Sequence, residues 1–409
     1  MRKAREDQFD PNRPPWLHCT SRCVRRAFLC GDGYDHRKRF IEARLRQLAS
    51  FFAVEVSAYA VMSNHLHVIA RPRPDQAQEL SAEAVAVAWL ALRDLPTMAR
   101  DGDVEEAGDE CVSNSGEAGA SSADRGTASA DRGASSPSVL PVGPVTNDPT
   151  TDVGRQVRIA ELAANAAFVA CWRERLGSIG WFMKLLKEPV ARLANKEDDC
   201  TGAFWEGRFS SIPLLDDAAV VAGMVYVDLN PIRAQVADRP ETSKHTGVKT
   251  RIVARQARRA AAAQVQAGDA EAARTTLHAA GLSLRPGCTL THLDPARDDQ
   301  ARSWLTPITA VFAGRRLSAE DYLTLVDHTG RQMHTGKKGV IPPHLAAILR
   351  RLDHDPQTWC ETMARPRSLL GSALGTAASL AQEATRRAGR WVQARCALFR
   401  RICPPAVCG

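Results

Sequence analysis

Two short runs of this 409-residue chain carry side chains capable of chemistry. The first is His65-Leu66-His67, followed by the apolar Val68, Ile69 and Ala70. On an extended strand, residues i and i+2 share a face, so both imidazoles project to one side while Leu66 enters the other. Two neutral imidazoles placed that way can chelate a divalent cation. The tripeptide alone reads more simply as two surface histidines. The second run is VYVDLNPIRA, which holds Tyr226, one of four tyrosines beside Tyr34, Tyr59 and Tyr322. Tyr226 falls near the end of a helical pattern, with Asn230 one turn later on the same face. Ala222 and Gly223 on the preceding turn leave room beside the phenol. By residue type alone, a half-buried tyrosine packing by its ring is the plainer account.

The elements that must position these residues follow from patterning. Residues 16–29 (WLHCTSRCVRRAFL) mix apolar and polar positions as an exposed strand and turn would. Asp35 can cap a helix running to about Ser50, with Phe40, Ile41, Leu45, Leu48 and Phe52 near helical spacing. VEVSAYAVM and HLHVIARP predict two strands joined by a tight turn that includes Ser63 and Asn64, the second closed by Pro72. Residues 157–195 predict helix, with Trp181, Phe182, Leu185, Leu186 and Leu193 as a buried stripe and a kink or division at Pro189. FWEGRFSSIPLL reads as strand. Asp216 then caps the helix DDAAVVAGMVYVDLN, which Pro231 stops. The order strand, helix, strand, strand, helix, strand, helix points to an α+β fold with a ferredoxin-like antiparallel sheet.

Composition sets the boundaries. Residues 101–155 are rich in Gly, Ala, Ser, Asp and Pro, repeat ADRG, and hold few large apolar side chains, so we expect a disordered acidic insert there. It would split one domain into halves, 1–100 and 156–240, with a mostly helical basic region over 241–409. The insert carries eleven acidic residues and three arginines, a net of −8, so the rest of a chain of net charge +8 carries +16. Such an excess favours a polyanionic partner through counterion release. Arg251, Arg255, Arg258 and Arg259 share one helix face, to be read as a solvated face or as phosphate contacts. The long Ala-rich stretch 366–403 invites the same two readings. The eleven cysteines form no CxxC pair, which argues against a zinc ribbon or a disulfide framework and for reduced thiols. No apolar run is long enough for a membrane span, and the polar, proline-rich start lacks the core of a secretory signal, so we expect a cytoplasmic protein. No GxxxxGK[ST] motif is present, so no nucleotide cofactor is expected.

Taken together, HCTSRCVRRAFL, SAYAVMSNHLHVIARP, GWFMKLLKEPVARLANK, FWEGRFSS and YVDLNPIRA, in that order, resemble the single-tyrosine HUH transposases, and within them the REP-associated tyrosine transposases of bacteria. The likeness covers about residues 14–240 with the insert set aside, and TSKHTGVKTRI after it looks like the start of that family's longer C-terminal extension. It implies a DNA strand transferase that cuts and rejoins single-stranded, hairpin-associated DNA through a 5′-phosphotyrosine. His65 and His67 then correspond to the pair that binds Mg²⁺ or Mn²⁺, with Leu66 as the bulky residue between them. Tyr226 corresponds to the nucleophile and Asn230 to a further polar ligand from its helix. Arg22, Arg208 and Arg233 are carried as DNA contacts, and Trp205 as a residue that stacks on a base or lies in the core. The resemblance implies a bacterial, nucleoid-associated setting and leaves monomer or homodimer open. A non-catalytic single-stranded nucleic-acid-binding protein on the same sheet is the competing reading. A relaxase or replication initiator fits less well, since no second tyrosine lies near Tyr226.

Overall fold

The computed structural model describes residues 14–31, 33–94, 152–315, 317–335, 343–351 and 373–387, with Asp10, His354, Trp359 and Met363. Residues 101–151 of the expected insert, and most of the stretch 366–403, lie outside them. Among the described residues no helix is long and apolar enough to cross a membrane.

The fold is mixed α+β. In chain order come β1 (Trp16–Arg22), α1 (Asp35–Phe51), β2 (Val54–Val61), β3 (His65–Pro72), α2 (Pro74–Glu79), α3 (Ala82–Arg93), α4 (Asp152–Ala164), α5 (Ala166–Leu176), α6 (Ile179–Glu197), β4 (Ser210–Leu214) and α7 (Asp217–Asp228). A short turn of helix, α8 (Asn230–Arg233), precedes α9 (Gly247–Gln266), α10 (Ala270–Ala279), a two-residue hairpin of β5 (Ser283–Leu284) and β6 (Ala301–Arg302), α11 (Ile308–Val311), α12 (Ala319–Thr335), α13 (Pro343–Arg351) and α14 (Ala377–Arg386). Two compact units divide the described residues: one runs to Glu79 and resumes at Glu174, and the other covers Leu80 to Arg173. The smaller unit packs Trp89 of α3 against Phe168 and Trp172 of α5, and Arg173 donates to the Leu80 carbonyl at 2.7 Å. Its helix α4 starts at Asp152, inside the span assigned to the insert.

In the larger unit, the four main strands are all antiparallel, in the order β2-β3-β1-β4. β1 is therefore central, not exposed, and six of its seven residues are buried or half-buried. Its polar positions mislead because helices cover the face they occupy. Register places Thr20 opposite His67 and Arg22 opposite His65, so His18, Thr20, Arg22, His65, His67 and Ile69 share one face. Leu17, Cys19, Leu66 and Val68 face the other way and are buried. The tight turn between β2 and β3 is closed by Met62 N–H donating to the His65 carbonyl at 2.8 Å.

Three predicted elements come out differently. β4 is only five residues; Phe204 and Trp205 lie in irregular chain before it. Asp35 opens α1 but makes no cap, since Tyr34 takes that position. Pro189 does not divide α6. Lacking an N–H, it cannot satisfy the carbonyl four residues back, and the Arg44 guanidinium of α1 takes that carbonyl, Leu185 O, at 3.2 Å. The breaks fall instead at Asn165 and at Gly177-Ser178, where the Ser178 hydroxyl caps α6.

Helices α9, α11, α12 and α13 share a core with the sheet, while α10 packs in a separate cluster with α9. Val248 of α9, Ile308 and Val311 of α11 and Tyr322, Leu325 and Val326 of α12 join Ala58, Ala60, Ile69 and nearly all of α7 in one apolar cluster. Contact with α7 explains this: every residue from Ala218 to Asp228 is buried, so the helix is covered on all sides. At its centre, Asp228 accepts from Val248 N–H at 3.0 Å and from the Tyr322 hydroxyl at 2.6 Å.

Candidate active site

α7 carries Tyr226 and starts where the sequence places it, with the Asp216 carboxylate accepting from Ala219 N–H at 2.9 Å. Gly223, one turn before Tyr226, lets the helix lie close on the sheet: a Cβ there would sit 3.1 Å from Leu214 Cδ1 and 3.3 Å from Ile69 Cδ1. The missing side chain serves this close approach and does not open room beside the phenol. α7 ends at Asp228, and α8 follows with Pro231 in its first turn, which returns Asn230 and Arg233 toward Tyr226.

The Tyr226 ring meets the histidine face edge-on, its centroid 5.8 Å from that of His67 and 5.7 Å from that of His18. The His65 and His67 rings are 4.7 Å apart, as same-face neighbours on β3 should be. The Asn230 amide lies within hydrogen-bonding reach of His65. Thus two imidazoles, the phenol and the amide converge, though they come from parts of the chain more than 150 residues apart.

Each imidazole has its δ nitrogen occupied. Asn64 Nδ2 donates to the Arg26 carbonyl at 3.1 Å, which turns its Oδ1 toward His65 Nδ1 at 2.6 Å. An amide oxygen only accepts, so His65 carries its proton on Nδ1 and leaves Nε2 as a lone-pair donor. His67 Nδ1 lies 2.8 Å from His18 Nε2 and 3.2 Å from Thr20 Oγ1. Burial, with the nearby His65, pulls His18 down to about 4. Burial and the Arg22 charge bring His65 to about 4 against the opposing Asn230 hydrogen bond. His67 is pushed well below its usual range by burial and then by His18, His65, Arg22 and Arg233. All three rings are neutral at pH 7, the state a ligand needs.

Arg233 is the group out of balance. Its guanidinium sits 4.4 Å above the Tyr226 ring, and Nη1 donates to the Tyr226 carbonyl at 3.3 Å. Nε and Nη2 are enclosed with no hydrogen-bond partner among the described residues. Burial lowers its pKa, opposed by Tyr226, yet a guanidinium stays cationic at neutral pH. Two orphaned donors on a buried cation suit an anionic oxygen.

The remaining candidates separate. Arg22 is exposed opposite His65. Arg208 is exposed two residues beyond Glu206, whose N–H bonds the Arg22 carbonyl at 2.9 Å. Trp205 is core: its Nε1 donates to the Lys187 carbonyl at 3.0 Å and its ring packs edge-on to Phe204, so no base can stack on it. Most of the basic face of α9 is engaged within the chain, while Arg259 stays exposed. Arg251 donates to the Ser57 and Thr306 carbonyls and Arg258 to the Ala301 carbonyl, while Arg255 and Arg259 pair with Glu320. Cys171 is disulfide-bonded, whereas Cys19, Cys23, Cys30, Cys200 and Cys288 form no disulfide.

Sequence reasoning missed His18 and Thr20. Their alternation on β1 was visible, but only the register with β3 brings them to His67.

Among the described residues no group of three or more His, Cys, Asp or Glu side chains is arranged to hold a metal ion. The neutral pair His65 and His67, with the Asn230 amide beside His65, offers a partial set of ligands. No known protein family, curated protein or solved structure matches the chain.

Proposed function

We propose that this protein is a nuclease and strand transferase of the HUH class, built on a ferredoxin-like sheet with one tyrosine nucleophile. Within that class we infer a REP-associated tyrosine transposase, acting on single-stranded DNA beside hairpins. The observation that carries the reading is the placement of Tyr226 against His67 and His18 under an arginine with two unsatisfied donors.

The chemistry follows from these groups. A phosphodiester entering the site supplies the oxygens that Arg233 lacks, and its charge offsets the cost of the buried guanidinium. Arg233 thereby holds the phosphate above the phenol ring. The Tyr226 oxygen attacks the phosphorus as its proton passes to water, the bond to the 3′ oxygen breaks, and that oxygen takes a proton from water and leaves as a 3′-hydroxyl. A second 3′-hydroxyl reverses the step on the phosphotyrosine and joins new ends, so no nucleotide is consumed. His65, His67 and Asn230 would hold a divalent cation, with imidazole nitrogen favouring Mn²⁺ over Mg²⁺. When bound, the cation supplies Lewis-acid neutralisation of charge on the phosphate. Asn64, His18 and Thr20 fix the two ligand rings from behind.

The test uses the full chain, Mn²⁺ and a hairpin oligonucleotide labelled on its 3′ side, run on a denaturing gel. A labelled protein band that vanishes in Tyr226→Phe, with binding retained, is expected. An undiminished band in that variant removes the assignment.

A further inference from the structure

β1 leaves the sheet through a loop of unusual make-up. Arg22, Arg25, Arg26 and Phe28 are all exposed, and Phe28, at 70%, is the only aromatic among the exposed large hydrophobic residues described. None of the three arginines makes an ion pair among the described residues, whereas Arg37, Arg71 and Arg73 nearby in sequence all do. Arg25 and Arg26 both adopt left-handed backbone, with φ of 52° and 58°. Glycine or asparagine would take that conformation at less cost, so arginine at both positions suggests a use for the side chains.

The loop is also held firmly. Cys23 N–H donates to the Asn64 carbonyl at 2.9 Å, Cys30 N–H to the Ser63 carbonyl at 2.8 Å and Val24 N–H to the Phe204 carbonyl at 3.0 Å. The Arg26 carbonyl accepts from the Asn64 amide, which orients His65. An exposed aromatic and unpaired cations are thereby fixed to the turn that carries the first ligand histidine. Glu206 joins this end of the sheet through its N–H to the Arg22 carbonyl, and Arg208 beside it is a fourth exposed arginine.

We propose that the loop of residues 22–28 is a single-stranded DNA clamp flanking the reactive tyrosine, with Phe28 stacking on an unpaired base and Arg25 and Arg26 holding the adjacent phosphates. This rests on the reading of the site as a DNA nuclease and names where its substrate is gripped. Duplex DNA keeps its base faces stacked and offers none to Phe28, so the clamp selects single strands. Stacking on a base face is tolerant of sequence, so it can act beside any hairpin.

The experiment measures fluorescence anisotropy of labelled oligothymidylate, oligouridylate and a blunt duplex, all in the Tyr226→Phe background so that cleavage plays no part. Phe28→Ala should weaken oligothymidylate binding about tenfold, the range of one lost stacking contact, and leave duplex binding within about twofold. Phe28→Trp should restore it and Phe28→Leu should not. Arg25→Ala with Arg26→Ala should reduce the slope of log affinity against log salt by about 1.4, two phosphates on a single strand. Unchanged oligothymidylate binding by Phe28→Ala, an equal loss on duplex, full rescue by leucine, or tighter binding of oligouridylate would each overturn the clamp. Because binding is read without cleavage, a failed adduct assay for Tyr226 leaves this result standing, and the reverse holds too.

Discussion

Replacing Arg233 with methionine should make the unliganded protein more stable while abolishing its DNA adduct. Methionine keeps the length and flexibility of the stem and can occupy the same enclosed space. Two enclosed donors, Nε and Nη2, disappear, each worth about 1–3 kcal/mol when left unsatisfied. Against that stand the hydrogen bond to the Tyr226 carbonyl, about 1 kcal/mol, and the contact with the ring at 4.4 Å, about 1–2 kcal/mol once desolvated. The balance favours the variant by about 1 kcal/mol, or about 2 °C in Tm for a large unit. Thermal melts without DNA, beside the denaturing-gel assay, measure both arms. A Tm several degrees below the parent with the adduct intact would show Arg233 to be a structural residue, and the phosphate argument would fail.

Three further outcomes follow from the same contacts. His18→Ala should weaken Mn²⁺ binding by about 10–100-fold in calorimetry, the usual effect of losing the partner that orients a ligand histidine; an unchanged affinity removes His18 from the site. Replacing both His65 and His67 with alanine should end metal-dependent cleavage, and normal cutting by that variant would sink the metal assignment. Glu42 is pushed up by burial but held below its usual range overall by hydrogen bonds from His245 and Tyr59. A carboxylate with a depressed folded pKa stabilises above its unfolded pKa and loses that contribution as pH falls through the folded value. The gap in urea midpoint between parent and Glu42→Gln should therefore be full at neutral pH and close in acid; a gap that widens in acid contradicts the sign.

How much could be read from the chain depends on whether the cause is local. The same-face pairing of His65 with His67 needs only the period of a strand, and Asp216 as a cap needs only its place before an apolar run. Those were legible. His18 was not, since its role depends on the register of β1 with β3, which no stretch of either strand states alone. Pro189 does not divide its helix, because the Arg44 donor that takes the orphaned carbonyl comes from a helix 141 residues away. The arginines of α9 show the same limit: periodicity puts them on one side, but only tertiary partners decide whether that side meets solvent, phosphate or protein carbonyls. The sequence admits both stacking and core for Trp205, and its bond to the Lys187 carbonyl decides for the core.

The closeness of α7 to the sheet at Gly223 bears on how such a protein can change. The distance of the Tyr226 ring from the histidine face is metered by a single hydrogen atom one turn away, in a residue with no functional group of its own. Adding a methyl there would tilt or lift the tyrosine relative to the histidines without altering any reacting group. Under the proposed function, lineages that inherit this chain thus have a means of adjusting activity, or of silencing it, that would look like a harmless change in packing.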